Sequence, residues 1–200
     1  MGAYDDDEKD DQPERNEQQR PESIIDRLSF KSRFVFLFGD INHTVARTTC
    51  ERLVALAAQS DAPIRVLISS PGGHVESGDA IHDVIRFISA PVTTIGTGWV
   101  ASAGTHIFLA ADKERRLCLP NTRFMIHQPL GGAGGPATDI AIQAKEILRT
   151  RERIARTIAK QTGKAYEKVI ADMERDFWMS PKEAIEYGIV SKIIDSYKDL

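Results

Sequence analysis

Three times in succession, a short apolar run closes on a turn-forming residue and gives way to apolar residues at helical spacing. Phe34, Val35, Phe36, Leu37 and Phe38 form an unbroken apolar run ended by Gly39, which reads as a buried strand. Ala46, Cys50, Leu53, Val54 and Ala57 then fall on one helical face. Residues 64–68 are the second strand, stopped by Ser70, Pro71, Gly72 and Gly73, and Ala80, Ile81, Val84, Ile85 and Ile88 mark the next helix. The third strand, near residues 92–97, passes through Gly98 into an alanine-rich helix near 101–111. Extended stretches follow near Leu117 and over 124–127. Helical crossovers of this length join parallel strands, so the pattern predicts an α/β fold.

The rest of the chain is punctuated just as clearly. Beyond the glycine-rich residues 131–135 lies a polar-faced helix near 138–161, too long to belong wholly to a compact globule, and its tip is expected to pack on another subunit. Near the end, Ser180 and Glu183 form a capping box, Pro181 takes the first helical position and Gly188 stops the helix.

At 200 residues and 42% hydrophobic, the chain can bury one substantial core. Its net charge of -3 divides unevenly, because residues 1–22 carry nine acids against three bases and leave 20 against 23 for the remainder. From Asp5 to Glu22 there is no strongly apolar residue, so 1–22 is expected to be a disordered acidic arm ahead of one domain over 23–200. The mildly basic remainder lacks a stripe of Lys and Arg interleaved with aromatics, which argues against nucleic acid as a partner. No apolar stretch has the length of a membrane span, and the acidic start suits neither a signal nor a transit peptide. Cys50 and Cys118 form no metal-binding pattern and read as small core residues. A soluble, cytoplasmic protein without a metal is the expectation.

Three features carry chemistry. The Pro71-Gly72-Gly73 turn at a strand end leaves backbone N–H groups able to face an oxygen, although such turns are commonly plain punctuation. Ser102, flanked by Ala101, Ala103 and Gly104 at a strand-to-helix junction, has the placement of an exposed nucleophile without the G-x-S-x-G spelling; an N-cap serine has the same placement. His127 ends an apolar strand and precedes Gln128 and Pro129. His43, His74, His82 and His106 are its rivals, His74 directly after Gly73, and spacing alone does not choose among them.

Taken together, these segments resemble the proteolytic subunits of the Clp protease family, from about Arg33 to about Ile194. The resemblance rests on Ser70-Pro71-Gly72-Gly73, Ala101-Ser102-Ala103-Gly104, Leu119-Pro120-Asn121, the run from Met125 to Gly132, Ala137-Thr138-Asp139-Ile140, Glu174-Arg175-Asp176 and Glu186-Tyr187-Gly188 in the family's order. The intervals of 25 residues from Ser102 to His127 and 49 from His127 to Asp176 also agree. The resemblance implies a crotonase-like fold of repeated strand–strand–helix units with a protruding handle helix. It implies serine endopeptidase activity with Ser102 as nucleophile, His127 as base and Asp176 as orienting acid, and with the N–H groups of Gly73 and Ala103 as oxyanion hole. Without it, Asp172 and Glu174 are as plausible as Asp176.

The family's assembly, two stacked seven-membered rings around a chamber, is implied as well, with Gly131, Gly132, Asp139 and Arg175 as ring-to-ring contact candidates. No nucleotide-binding loop of the G-x-x-x-x-G-K-[ST] type exists here, so no cofactor is expected. ATP would be used only by a partner, an unfoldase of the AAA+ class feeding in unfolded polypeptides. Arg65, Leu67, Phe87, Ile95, Thr97, Leu117 and Leu119 fall at the family's unfoldase-docking positions, but aromatic residues are usual at 65, 67 and 117 and an apolar one at 97. Weak docking is therefore expected unless a paralogous ring supplies that face. Pro136 stands where the family has glutamine and Ala103 where it has methionine, and the family's usual N-terminal stretch is not recognisable. Two other readings are a scaffold subunit of a mixed ring, disfavoured by the filled triad positions, and a crotonase-type acyl-CoA enzyme.

Overall fold

The computed structural model describes residues 24–132 and 134–200, so the acidic arm over 1–22 lies outside the described residues. Helix α1 (Ile24–Lys31) leads into β1 (Phe34–Phe38), α2 (His43–Gln59), β2 (Ile64–Ser70), α3 (Val75–Phe87) and β3 (Val92–Ala101). Then come α4 (Ala103–Phe108), β4 (Arg116–Cys118), β5 (Arg123–Ile126), α5 (Ala137–Thr162), α6 (Tyr166–Asp172), β6 (Phe177–Met179), α7 (Pro181–Tyr187) and β7 (Lys192–Ile193). Strands β1, β2, β3, β4 and β7 lie side by side in that order, all parallel, as the crossover lengths require. On the side away from β2, strand β3 serves two neighbours: residues 94–96 pair with β4 and residues 99–101 pair with β5. Strand β6 then adds to β5 antiparallel, the one reversal among the described strands.

One face of the sheet carries Val35, Leu37, Ile64, Val66 and Ile68, which join Leu53 and Leu56 of α2, Ile81 and Ile85 of α3 and Ile107 and Phe108 of α4 in a continuous buried cluster. The opposite face of β1 is open. Phe36 and Phe38 are 50% and 53% exposed, so β1 is an edge strand buried on one side and not the fully buried strand its unbroken apolar run suggested. Helix α2 likewise buries Ala46, Thr49, Leu53 and Leu56, while Val54 points outward; the true face is rotated from the expected one by about one residue. The alanine-rich helix is also shorter than expected, because β3 runs on to Ala101.

Arg116 is the largest side chain buried completely. Its guanidinium donates to Ala111 O and Gln161 O at 2.8 and 2.9 Å and to Gln161 Oε1, tying β4 to the end of α5. Burial, only partly offset by Asp112 and Glu114, lowers its pKa to about 10, so it remains charged and hydrogen-bonded. The C-terminal half of α5 is thereby anchored, with Ala155, Ile158 and Thr162 buried, whereas residues 137–146 are exposed all round. The capping box at Ser180 and Glu183 and the left-handed Gly188 that ends α7 are present as the sequence predicts.

Candidate active site

Sheet register assembles the site. Ala101 of β3 pairs with Met125 of β5, and the Ser102 N–H donates to Met125 O at 2.9 Å, so the residue that leaves β3 stays beside the strand that ends at His127. Ile126 of β5 pairs with Phe177 of β6 in antiparallel register. One step further along each strand, that register sets His127 opposite Asp176. The order Ser, His, Asp along the chain therefore becomes three neighbours along one end of the sheet.

Ser102 has φ 55° and ψ −121°, a conformation rarely adopted by a residue with a side chain and costing about 1–3 kcal/mol. Its surroundings hold it there. The Thr105 hydroxyl lies 2.8 Å from Val100 O and 2.9 Å from Met125 O, bracing the turn from inside, and His106 N–H donates to Ser102 O. Ser102 precedes α4 but makes no side-chain cap, which leaves its hydroxyl free for other work. The capping serine considered from sequence is thus not what this residue is. Its Oγ lies 2.8 Å from His127 Nε2, and His127 Nδ1 lies 2.9 Å from Asp176 Oδ1. The imidazole side chain is 14% exposed and the carboxylate 61%.

The Pro71-Gly72-Gly73 turn is held against this group. Ile41 N–H donates to Gly72 O and His74 N–H donates to Ile41 O, both at 2.8 Å, which directs the N–H of Gly73 to the opposite side. A Cβ on Gly72 would sit 2.6 Å from Ser102 Cβ, and one on Gly73 2.2 Å from Ile41 O, so neither position admits a side chain. The Ala103 N–H is the first donor of α4, which has no acceptor within its own helix.

The rival residues are otherwise engaged. His74 caps α3, its ring Nδ1 accepting from Ser77 N–H, and its Nε2 lies 3.2 Å from Glu76. The His43 ring meets that of His74 at 4.4 Å in a tilted contact, while His82 stacks on His106 at 4.5 Å inside the protein. Asp172 accepts from Tyr187 Oη at 2.9 Å, and Glu174 pairs with Arg151 at 2.7 Å. Cys118 is buried and its thiol is pushed up to about 12 by burial, so it offers no competing thiolate. Among the described residues no group of three or more His, Cys, Asp or Glu side chains could hold a metal ion.

An open pocket lies beside Ser102, lined by Val75, Ala103, His106, Ile126, Pro129, Ile154 and Ile158 as well as by Ser102 and His127. Of these lining residues, Val75, Ile154 and Ile158 were not singled out by sequence reasoning. Of the remaining candidates, Gly131, Gly132, Asp139 and Arg175 are exposed. Leu67, Ile95 and Leu117 form one cross-strand row, Arg65 lies in the next row, and Thr97 and Leu119 are half-buried beyond them. Within that row Ile95 is only 2% exposed, and Phe87 stands apart on α3 with 83% of its surface open.

Comparison with known proteins bears on this geometry. A Clp protease family model matches residues 16–197. The ATP-dependent Clp protease proteolytic subunit 2 of Gluconobacter oxydans is 57% identical over 182 residues, covering 90% of this chain and 82% of the relative. The ATP-dependent Clp protease proteolytic subunit of Paracoccus denitrificans is 53% identical, covering 90% and 91%. The solved structure of ClpP1 from Listeria monocytogenes matches with a TM-score of 0.80 at 48% identity, over 88% of this chain and 99% of that one. The chemistry these matches give the chain is that of a serine-type proteolytic subunit, and the acyl-CoA reading has no support. With a strand-end serine, histidine and aspartate in hydrogen-bonded sequence and a match over nearly its whole length, this chain belongs to the Clp protease family.

Proposed function

We propose that Ser102, His127 and Asp176 are the catalytic residues of this subunit and that they cleave peptide bonds in unfolded polypeptides. The observation that carries the reading is the unbroken chain of contacts from Ser102 Oγ through both ring nitrogens of His127 to Asp176. In the first half-reaction His127 Nε2 takes the Ser102 proton as Oγ bonds to the substrate carbonyl carbon. The carbonyl oxygen, now negative, accepts hydrogen bonds from the N–H groups of Gly73 and Ala103. His127 then returns the proton to the leaving amine as the C–N bond breaks, and water repeats the sequence to release the acyl group. Asp176 accepts from Nδ1–H throughout, which fixes the tautomer and stabilises the imidazolium. The reaction needs no cofactor.

The same reading extends to the assembly. Residues 23–200 act as one peptidase domain and 1–22 as an arm, in a homo-oligomer of two stacked seven-membered rings or one shared with a paralogous subunit. Gly131, Gly132, Asp139 and Arg175 would meet the facing ring, supported by the wholly exposed first turns of α5. An ATP-driven unfoldase, implied by the relatives' names, would dock at the surface formed by Arg65, Leu67, Ile95, Thr97, Leu117 and Leu119 on one subunit and Phe87 of the next. With Arg65 and Thr97 on that surface, docking of the apolar loop is weak. A cytoplasmic location fits these partners, and among the described residues no helix is long and apolar enough to cross a membrane.

The decisive variant is Ser102→Ala. Peptide hydrolysis should fall on the order of 10⁶-fold while the native mass of the assembly is unchanged. Residual turnover above about 1% of wild type in a clean preparation would require another nucleophile.

A further inference from the structure

A second carboxylate lies close to the nucleophile and takes no part in the chemistry above. Asp79, on α3, is four residues beyond Val75, a wall of the cavity beside Ser102. Its Oδ1 accepts from His106 Nε2 at 3.0 Å, and His106 is both a wall residue and one helical turn beyond Ser102 on α4. The same oxygen accepts from Arg153 Nη1 at 2.6 Å, and Arg153 is adjacent to Ile154, a wall residue on α5. One oxygen atom thus joins the three helices that enclose the cavity.

The clamp is partly withdrawn from water. The side chains of Asp79 and His106 are 19% and 7% exposed, and the His106 ring is packed against His82 at 4.5 Å with an interplanar angle of 14°. Burial opposes ionisation of Asp79, but the hydrogen bonds from His106 and Arg153 outweigh it and hold the carboxyl well below the usual carboxylate range. The charge-assisted bonds therefore persist wherever the protein is folded near neutral pH.

We infer that Asp79 is a positioning residue for substrate specificity: through His106 and Arg153 it fixes the width of the cavity that receives the side chain next to the attacked carbonyl. This rests on Ser102 being the nucleophile. The other wall residues are Val75, Ala103, Ile126, Pro129, Ile154 and Ile158, so a side chain of leucine or methionine size gains from the cavity in proportion to the apolar area it covers. That gain depends on walls already in place, since a loose wall must be ordered at the moment of binding. A small side chain barely reaches the walls and does not sense the clamp.

The test compares two fluorogenic peptides that differ only in leucine or alanine before the cleaved bond, on wild type, Asp79→Asn, Arg153→Met and Arg153→Lys. Arg153 is half-exposed, so its variants fold even where Asp79→Asn does not. In Asp79→Asn, KM for the leucine peptide should rise about tenfold and that for the alanine peptide less than twofold, with kcat moving far less than KM. Arg153→Met should show a smaller split of the same sign, and Arg153→Lys should restore most of it. If Arg153→Met shifts both KM values equally or neither, the inference is wrong, whatever Asp79→Asn does. A wild type that cleaves neither peptide and takes no fluorophosphonate at Ser102 overturns the catalytic assignment and the clamp with it; a wild type that cleaves both, with variants that show no split, overturns the clamp alone.

Discussion

Two Asp–His pairs flank Ser102, and by distance they are almost the same: 2.9 Å for Asp176 with His127 and 3.0 Å for Asp79 with His106. Both imidazoles line the same cavity. They differ in what the second ring nitrogen meets. For His127 it is the serine hydroxyl at 2.8 Å; for His106 it is the protein interior, where Nδ1 is buried without a partner. They differ also in solvent, since the Asp176 side chain is 61% exposed and that of Asp79 19%. An Asp–His contact is therefore no mark of a catalytic base. The exposed pair with a hydroxyl in reach can move a proton, and the buried pair holds helices together.

The comparison breaks most sharply on activity. Asp176→Asn should lower kcat about 10⁴-fold, because the amide cannot hold the productive tautomer of His127. The same variant should leave thermal stability within about 1 kcal/mol of wild type, as an ion pair open to solvent contributes little. Steady-state kinetics and a denaturant melt on one preparation check both. If the loss of activity tracks a loss of stability, Asp176 belongs to the structural class instead.

Asp79→Ala should behave in the reverse way, costing about 2–3 kcal/mol in the melt by leaving His106 Nε2–H buried without an acceptor and Arg153 without its partner. A smaller effect follows in acid. Because the folded-state carboxyl of Asp79 titrates below its unfolded value of about 3.9, its contribution is complete above that pH and is lost as pH falls toward the folded value. The stability gap between wild type and Asp79→Asn should accordingly narrow as pH drops below about 4. A gap that stays constant there would mean that folding does not lower the pKa of the Asp79 carboxyl.

How much of this was legible in the sequence depended on range. Local signals held: the turn at Gly72 and Gly73, the capping box at Ser180, and the helix stop at Gly188 all depend on residues within a few positions of one another. Burial of whole strands was less legible. The run from Phe34 to Phe38 is apolar on both faces, and nothing within it reveals that β1 is an edge with Phe36 and Phe38 open. Asp176 was beyond composition altogether, because its selection over Asp172 and Glu174 comes from the antiparallel register of β5 and β6, a contact between strands 49 residues apart at the site. Only resemblance to the family picked it out. Asp79 went unnoticed for the same reason: its partners sit on two other helices, 27 and 74 residues along the chain.

The account stands on Ser102 being the atom-donating nucleophile activated by His127. The direct measurement is reaction of the native protein with a fluorophosphonate, followed by mass mapping of its peptides. Ser102 Oγ should displace fluoride and carry the phosphonate alone, at one adduct per active subunit, and His127→Ala should slow labelling by orders of magnitude while Asp79→Asn labels like a folded enzyme. Hydrolysis that continues with Ser102 unmodified, or an adduct found on another residue, would contradict the assignment.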